Sequence, residues 1–556
     1  MSVAEPNPGA TAAPPPAERV TTGVRPPSSS AGLARSAGVA GAATMTSRVF
    51  GLMRDQVLAY WFGASDAMDA YLVAFRVPNL VRDLFAEGAM SAALVPTFSR
   101  TLELEGRDRA WQLGNAVMTT LMLAAAMAAA AAIVFAPQLV HLMAGDFSAV
   151  PGKFELTVLL TRIMAPFLIL VAMAAACMGM LNSLNIFFIP ALAPAMFNIA
   201  SIVVGIAFVP VAIALGVRPI LAMAYGTLVG GLGQVALQWP ALRREGFRFR
   251  PRFDFTDPGL RRVLTLMGPG IVGLAATQVN VFVNTVVATG EGTGAVSWLT
   301  YAFRVMYLPI GLFGVSIATA TTPAMSRLAA INDTPRMRST LASAISLMLT
   351  LNVPATFGLV VLAGPIVQLL LQRGHFTPAD TVATAAAVQL YALGLVGYSV
   401  VKIVSPTFYA MGRSRTPAAV GVAAVLLNAA LSVSSSPYLG YKGLALSASI
   451  ASLFNAGTLT WMARIALGGL ELRRVMATFT KTLVASAAMS VAAWAAITGM
   501  NALLPGSALW LQVARLAAAI GLAIVTLGLA AQGLRISEFE EMRDAVIVRL
   551  RRMLGR

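Results

Sequence analysis

The 556-residue chain has one cysteine, two histidines and 23 acidic residues. A lone Cys177 excludes a disulfide framework and a thiolate metal site. His141 and His375 stand in no metal-ligand spacing such as H-E-x-x-H, so both read as histidines at helix ends, and no metal or cofactor is expected. Charge of either sign is scarce. Only 11% of residues are charged and 58% are hydrophobic, with a mean hydropathy of +0.76, which excludes a soluble globular protein and points to a polytopic helical membrane protein. The net charge of +17 does not make a nucleic-acid surface, because the basic residues are scattered over short loops between apolar runs, as topology signals are. Large loops with acidic constellations are also missing. Asp146, Glu155, Glu291 and Asp380 stand singly, which disfavours a membrane-embedded glycosyltransferase, and no enzyme activity is expected.

What is present is an apolar chain with charges where lipid should forbid them. Fourteen candidate spans lie between residues 33 and 532. The stretch 47–100 crosses twice, with a turn near Gly63–Asp66, yet carries Arg48, Arg54, Asp55, Asp69, Arg76, Arg82, Asp83 and Glu87. A charge at mid-bilayer costs about 2.5–3.5 kcal/mol even on insertion scales, so these side chains must face a wet cavity or one another. On the second helix Asp69, Arg76, Asn79, Asp83 and Glu87 fall within about an 80° arc. On the first, Ser47 and Arg54 share one stripe and Arg48 and Asp55 another. Pro78 removes a backbone hydrogen bond beside Asn79, as suits a kinked helix lining a cavity. In the eighth span Arg304 is the only charge. Arg54, Arg82 and Arg304 together would form a cationic cluster whose planar donors suit phosphate, with the acidic residues orienting them.

The chain repeats itself. AFRV at 74–77, followed by Pro96, Ser99 and Arg100, returns at 302–305, followed by Pro323, Ser326 and Arg327; Pro190 and Pro417 share the same period. Six helices fit the period, so the copies run in the same direction. The expected fold is therefore all-α, with fourteen transmembrane helices. Two six-helix lobes are related by a parallel pseudo-twofold, and two helices follow at the C-terminus, a transporter design. Expected units are a disordered cytoplasmic tail (1–30), an N-lobe (31–245), a C-lobe (258–466), the last two helices (475–533) and a basic amphipathic segment on the cytoplasmic membrane surface (536–556). With the N-terminus inside, the cytoplasmic segments hold 28 of the 40 basic residues and the opposite side only Lys153, Arg218, Arg373, Lys442 and Arg515, so both termini are expected in the cytoplasm.

Two further motifs have plain readings. Gly226, Gly230, Gly231 and Gly233 do not fit a nucleotide loop and suit close helix packing. Asn280 and Asn284 share a face of the seventh span, placed to line the cavity or bridge helices.

At SRVFGLMRD (47–55), DAYLVAFRVPNLVRDLFAEGAMSAALVP (69–96), MLNSLNIFFIPALAPAMFNI (180–199), YAFRVMYLPIGLFGVSIAT (301–319) and VVKIVSPTFYA (400–410) the chain resembles the MurJ (MviN) family of lipid II flippases, in the multidrug/oligosaccharidyl-lipid/polysaccharide exporter superfamily. The resemblance implies transfer of an undecaprenyl-pyrophosphate-linked disaccharide-pentapeptide from the inner to the outer leaflet of the cell inner membrane, for peptidoglycan biosynthesis, cell wall biogenesis and cell shape. It implies that Arg54, Arg82 and Arg304 are cavity arginines and that Ser47, Asp55, Asp69, Asn79 and Glu87 match other positions the family uses; on the residue pattern Arg48 joins Ser47 and Asn79 at the substrate, and Asp83 joins Asp55, Asp69 and Glu87 in a charge network. Partners would be the lipid-linked precursor, membrane lipids and cell-wall synthesis proteins. Phe303 departs from the pattern, standing where related flippases often carry an acidic residue beside the arginine. Alternatives in the same architecture are export of another lipid-linked oligosaccharide or cation-coupled drug export; clustered arginines favour an anion. The seventh and eleventh spans hold no carboxylate, so a sodium site is not expected and the membrane potential is the expected drive.

Overall fold

A computed structural model describes residues 30–84 and 90–553; within its helices the side chains of 30–44, 81, 83–84, 91–92, 269–277, 545–546 and 549–553 are not described. The expectations for the tail 1–30 and for Glu87 therefore lie outside the described residues, apart from Ser30, and Asp83 is placed on its helix without a described side chain.

The described residues form helices joined by short turns. In the first half these are α1 (Ser30–Phe62), α2 (Asp66–Leu84), α3 (Met90–Glu105), α4 (Arg107–Val134), α5 (Ala136–Ala144), α6 (Lys153–Met164), α7 (Phe167–Ser183), α8 (Phe188–Ala214) and α9 (Ile220–Arg244). The second half holds α10 (Pro258–Thr289), α11 (Ala295–Pro309), α12 (Val315–Ala330), α13 (Thr334–Leu371), α14 (Pro378–Leu393), α15 (Leu395–Ala410), α16 (Arg415–Leu439) and α17 (Tyr441–Ala466). The chain closes with α18 (Leu472–Leu503), α19 (Leu509–Gly533) and α20 (Ser537–Met553).

Ten spans among the described residues are long and apolar enough to cross a membrane, and α14 with α15, bent by 41°, makes an eleventh. Three of the fourteen expected spans, on α1, α2–α3 and α10, are not among them. Each of the three includes residues or side chains outside the described set, and α2 carries Asp66, Asp69, Arg76, Arg82 and Asp83.

Breaks follow backbone chemistry. Pro166 separates α6 from α7. Pro309 ends α11, and a π-helical turn, Ile310–Gly314, leads into α12. Gly394, between α14 and α15, lies against Ser449 of α17, whose hydroxyl and that of Ser452 donate to the Leu390 and Gly394 carbonyls at 2.6 and 3.0 Å. Small residues with hydroxyls let helices approach where lipid offers no hydrophobic drive for their association. The same holds for Gly230 and Gly231, whose faces are filled by Phe197 and Phe167, in agreement with the packing reading. Asn428 of α16 donates to Asn280 at 2.7 Å and to Asn284 at 2.9 Å, so that pair bridges helices.

One apolar core, including Leu58, Tyr71, Tyr301 and Phe376, joins α1 and α2 to α11 and to the turn before α14. Separate cores bind α3, α4 and α7 on one side and α12, α13, α15 and α17 on the other. The last two transmembrane helices pack on α13 through Leu362, Met489 and Ala519. The segment 246–257 runs back along α4, with Asn115 bonding both the Arg248 carbonyl and the Arg250 amide. α20 is held to α18 by Glu538, buried, which accepts from Arg474 and Thr478.

Candidate functional site

Two charge clusters lie between the halves of the chain. The first starts on α1, where Arg54 and Asp55 are neighbours. Arg54 folds back so that Nε and Nη2 donate to Asp55 Oδ1 at 3.2 and 2.9 Å. Arg304, from α11, donates through Nη1 to the same oxygen. Asp55 is 4% exposed, and its partners are these two arginines. One carboxylate against two guanidinium groups leaves a net positive site. The Arg304 side chain remains 34% exposed and makes no other hydrogen bond among the described residues, so it has donors to spare. Arg54 Cζ lies 5.5 Å from the centre of the Phe197 ring, itself stacked on Phe75, which supports the cation from its other face.

Phe303 does not deprive Arg304 of an acid. It packs with Tyr307, Tyr391 and Tyr398 at ring distances of 5.9, 5.5 and 6.1 Å, and the acid comes from α1 instead. Arg82 is half-buried on α2. Asn79 is also half-buried on α2. Ser47 enters through its backbone: its carbonyl accepts from Asn198 of α8 at 3.0 Å. Arg48 Cζ lies 5.9 Å from the Tyr307 ring.

The second cluster corrects one expectation. Asp69 does not orient the arginines. It is fully buried at the N-terminal end of α11, accepting from the Gly294 and Ser297 amides at 2.7 and 3.1 Å, from the Ser297 hydroxyl at 2.7 Å and from Lys153 at 3.1 Å. A carboxylate from one half of the chain thus caps a helix of the other, where free amides and the helix dipole favour an anion. Lys153, expected in an exposed loop, opens α6 and is 3% exposed. It also pairs with Asp66 at 2.7 Å, which takes the Thr293 hydroxyl at 2.7 Å. Near this cluster Gly63, in the left-handed region at φ 58°, is pressed against the His375 carbonyl, and Tyr60 accepts the His375 amide at 2.9 Å. Turns from both halves therefore seal this end.

Sequence reasoning passed over Lys153, Ser297, Tyr307 and Lys402 as members of these clusters. The signal for Ser297 was available: the repeat offset that maps Arg76 on Arg304 maps Asp69 on Ser297. Lys402 also carried a signal, a lone charge within an apolar span, whereas Lys153 and Tyr307 leave no pattern in the sequence.

An all-helical bundle of apolar spans with a net cationic site between its halves is built as a multi-pass membrane transporter. The fold agrees: a solved "inward-facing conformation of a multidrug resistance MATE family transporter of the MOP superfamily" superposes with a TM-score of 0.64 at 16% identity, covering 77% of this chain and 98% of that one. The solved "Lipid II flippase MurJ, inward closed conformation" gives 0.73 at 24% identity, covering 89% and 99%. Residues 58–514 match the family described as "MurJ: Lipid II flippase MurJ". A protein of Rickettsia prowazekii (strain Madrid E), described as "Probable lipid II flippase MurJ", is 33% identical over 416 residues, 75% of this chain and 81% of that protein. The chain belongs to the lipid II flippase MurJ family, and is a multi-pass membrane transporter rather than an enzyme.

Proposed function

We propose that this chain carries lipid II across the inner membrane by alternating access, and that Arg54 and Arg304 receive its pyrophosphate. The observation that carries this reading is the sharing of Asp55 by arginines from opposite halves of the chain, with donors left over on Arg304. A pyrophosphate entering between them replaces one carboxylate oxygen with several, and so relieves the excess of positive charge. It also bridges the lobes 31–245 and 258–466. Arg82, Arg48, Ser47 and Asn79 supply further contacts, with Asp83 and Glu87 as counter-charges. Release to the far side needs the Asp69–Lys153–Ser297 contacts to part, because they join the halves at the sealed end.

Both termini lie in the cytoplasm in this reading, which puts the sealed end outward. The cycle is driven by the membrane potential: about two negative charges moving outward through 100 mV gain about 4–5 kcal/mol. The protein serves peptidoglycan synthesis, and cell-wall synthesis proteins are its natural partners. The test is leaflet accessibility of labelled lipid II in proteoliposomes. Wild type exposes the label to the outer face in response to an imposed potential, whereas Arg54→Ala and Arg304→Ala do not. Equal transfer by all three proteins would overturn the reading.

A further inference from the structure

Beside the site described lies a second set of cations with no acid. Arg48 Cζ and Lys402 Nζ approach one ring, Tyr307, at 5.9 and 5.8 Å from its centre. Neither makes an ion pair among the described residues, in contrast to Arg54 and Arg304. Three helices supply the group: Arg48 comes from α1, Tyr307 from α11 and Lys402 from α15. The Arg48 guanidinium fills the space a Cβ would occupy at Gly311, in the π-helical turn that follows Pro309. Such turns cost regular hydrogen bonding and recur at functional sites. Here the turn and the missing Cβ together give a planar cation a seat. Two partly buried like charges facing one ring repel each other, and the ring quadrupole offsets only about 0.5–2 kcal/mol per cation. An anion between them would remove the repulsion.

We propose that Arg48, Lys402 and Tyr307 form a second anion subsite, which takes a carboxylate of the peptide carried by the lipid-linked substrate. This deepens the function proposed above and rests on it. The pyrophosphate itself is not the occupant. Arg48 precedes Arg54 by six residues, which puts its position about 9 Å further along α1. It also puts the two on different stripes of α1, with Arg48 at the Tyr307 ring beside Lys402 and Arg54 at Asp55 beside Phe197. A substrate with a second anion some distance from the first meets both subsites at once, and a pyrophosphate-lipid without the peptide meets one.

The experiment compares binding of lipid II and of undecaprenyl pyrophosphate to the full-length protein in nanodiscs. Lys402→Gln should weaken lipid II about tenfold or more, as loss of a charge-assisted contact does, and leave undecaprenyl pyrophosphate within about twofold. Retained binding of the shorter lipid also shows that the variant is folded. Lys402→Arg, which keeps the charge, should restore most of the loss. Equal weakening of both lipids would assign these cations to the pyrophosphate and overturn the proposal. Unchanged binding of both would overturn it as well. Arg54→Gln separates the two claims. It should weaken both lipids, and undecaprenyl pyrophosphate binding unaffected by Arg54→Gln would count against the pyrophosphate site while the Lys402 contrast stays readable.

Discussion

The two charge clusters between the halves of this protein have opposite composition. At the sealed end one lysine faces two carboxylates, and every acceptor on Asp69 is used by Lys153, Ser297 or a helix amide. At the site on α1 two arginines face one carboxylate, and Arg304 is a third exposed. Asp69 and Lys153 are fully buried, with Asp66 at their edge 42% exposed, whereas at the site the cation Arg304 itself is open. A closed, satisfied network has nothing to offer a ligand and much to lose when a member is removed. An under-compensated, partly wet one is tolerant of loss and ready for an anion. The difference separates a latch from a binding site, and it can be broken from either side.

The largest expected effect on stability is therefore at the latch. Lys153→Met leaves Asp69 buried with its charge uncompensated, a loss of about 3–5 kcal/mol. Thermal unfolding in detergent should show a large fall in Tm, and the double variant Lys153→Met with Asp69→Asn should recover most of it. A single variant within one degree of wild type would mean the two clusters do not differ as described. At the site the order reverses. Arg304→Ala and Arg54→Ala should lower flipping by about 100-fold, equivalent to about 3 kcal/mol at the transport step, with membrane level and Tm close to wild type. Lysine should not rescue either position, because it lacks the planar fork that grips a phosphate. If Tm falls as far as for Lys153→Met, the site is structural.

A neutral cluster gives the middle of the scale. Asn428 donates to both Asn280 and Asn284 with no charge involved. Asn428→Ala should cost about 0.6–1.7 kcal/mol, the range for hydrogen bonds between membrane helices, read as a small Tm shift with flipping nearly unchanged. A loss as large as at Lys153 would show that polarity, not uncompensated charge, sets the cost.

How much of this was legible in the sequence follows from the same contrast. Charges inside apolar spans announce themselves, so the residue pattern alone suffices to set Arg48, Arg54, Asp55 and Arg304 at a wet interface. Their partners are not legible in that way. Arg76 and Arg304 sit at matching repeat positions, yet Arg304 reaches across to Asp55 of the other half, and nothing in one sequence ranks that contact over Asp69 or Asp83. The role of Lys153 was hidden for a physical reason: it follows Gly152 in a turn between spans, and its burial depends on Phe147, whose ring centre is 4.1 Å away, and on two aspartates some eighty residues earlier.

The smallest effect concerns a third kind of charge, at the water-facing surface. Asp254 lies in the strap along α4, and the Thr256 hydroxyl at 2.7 Å, with Arg252 at 3.1 Å, holds its carboxyl below the ordinary range. A carboxylate depressed in the folded protein adds stability that is present above its unfolded value, near 3.9, and is lost as pH falls through the folded value. The strap should therefore loosen only below about pH 4. A spin label on this segment would report it as increased mobility, small because solvent screens the pairs. Asp254→Asn should remove the pH response and leave the mobility slightly raised at all pH values. The sealed end should not loosen in the same window, because the Gly294 and Ser297 amides and the Ser297 hydroxyl keep Asp69 seated. Parallel loosening of the strap and of a label near Thr293 over one pH range would show that exposed and buried carboxylates here respond alike, and that the contrast between latch and site is not one of burial.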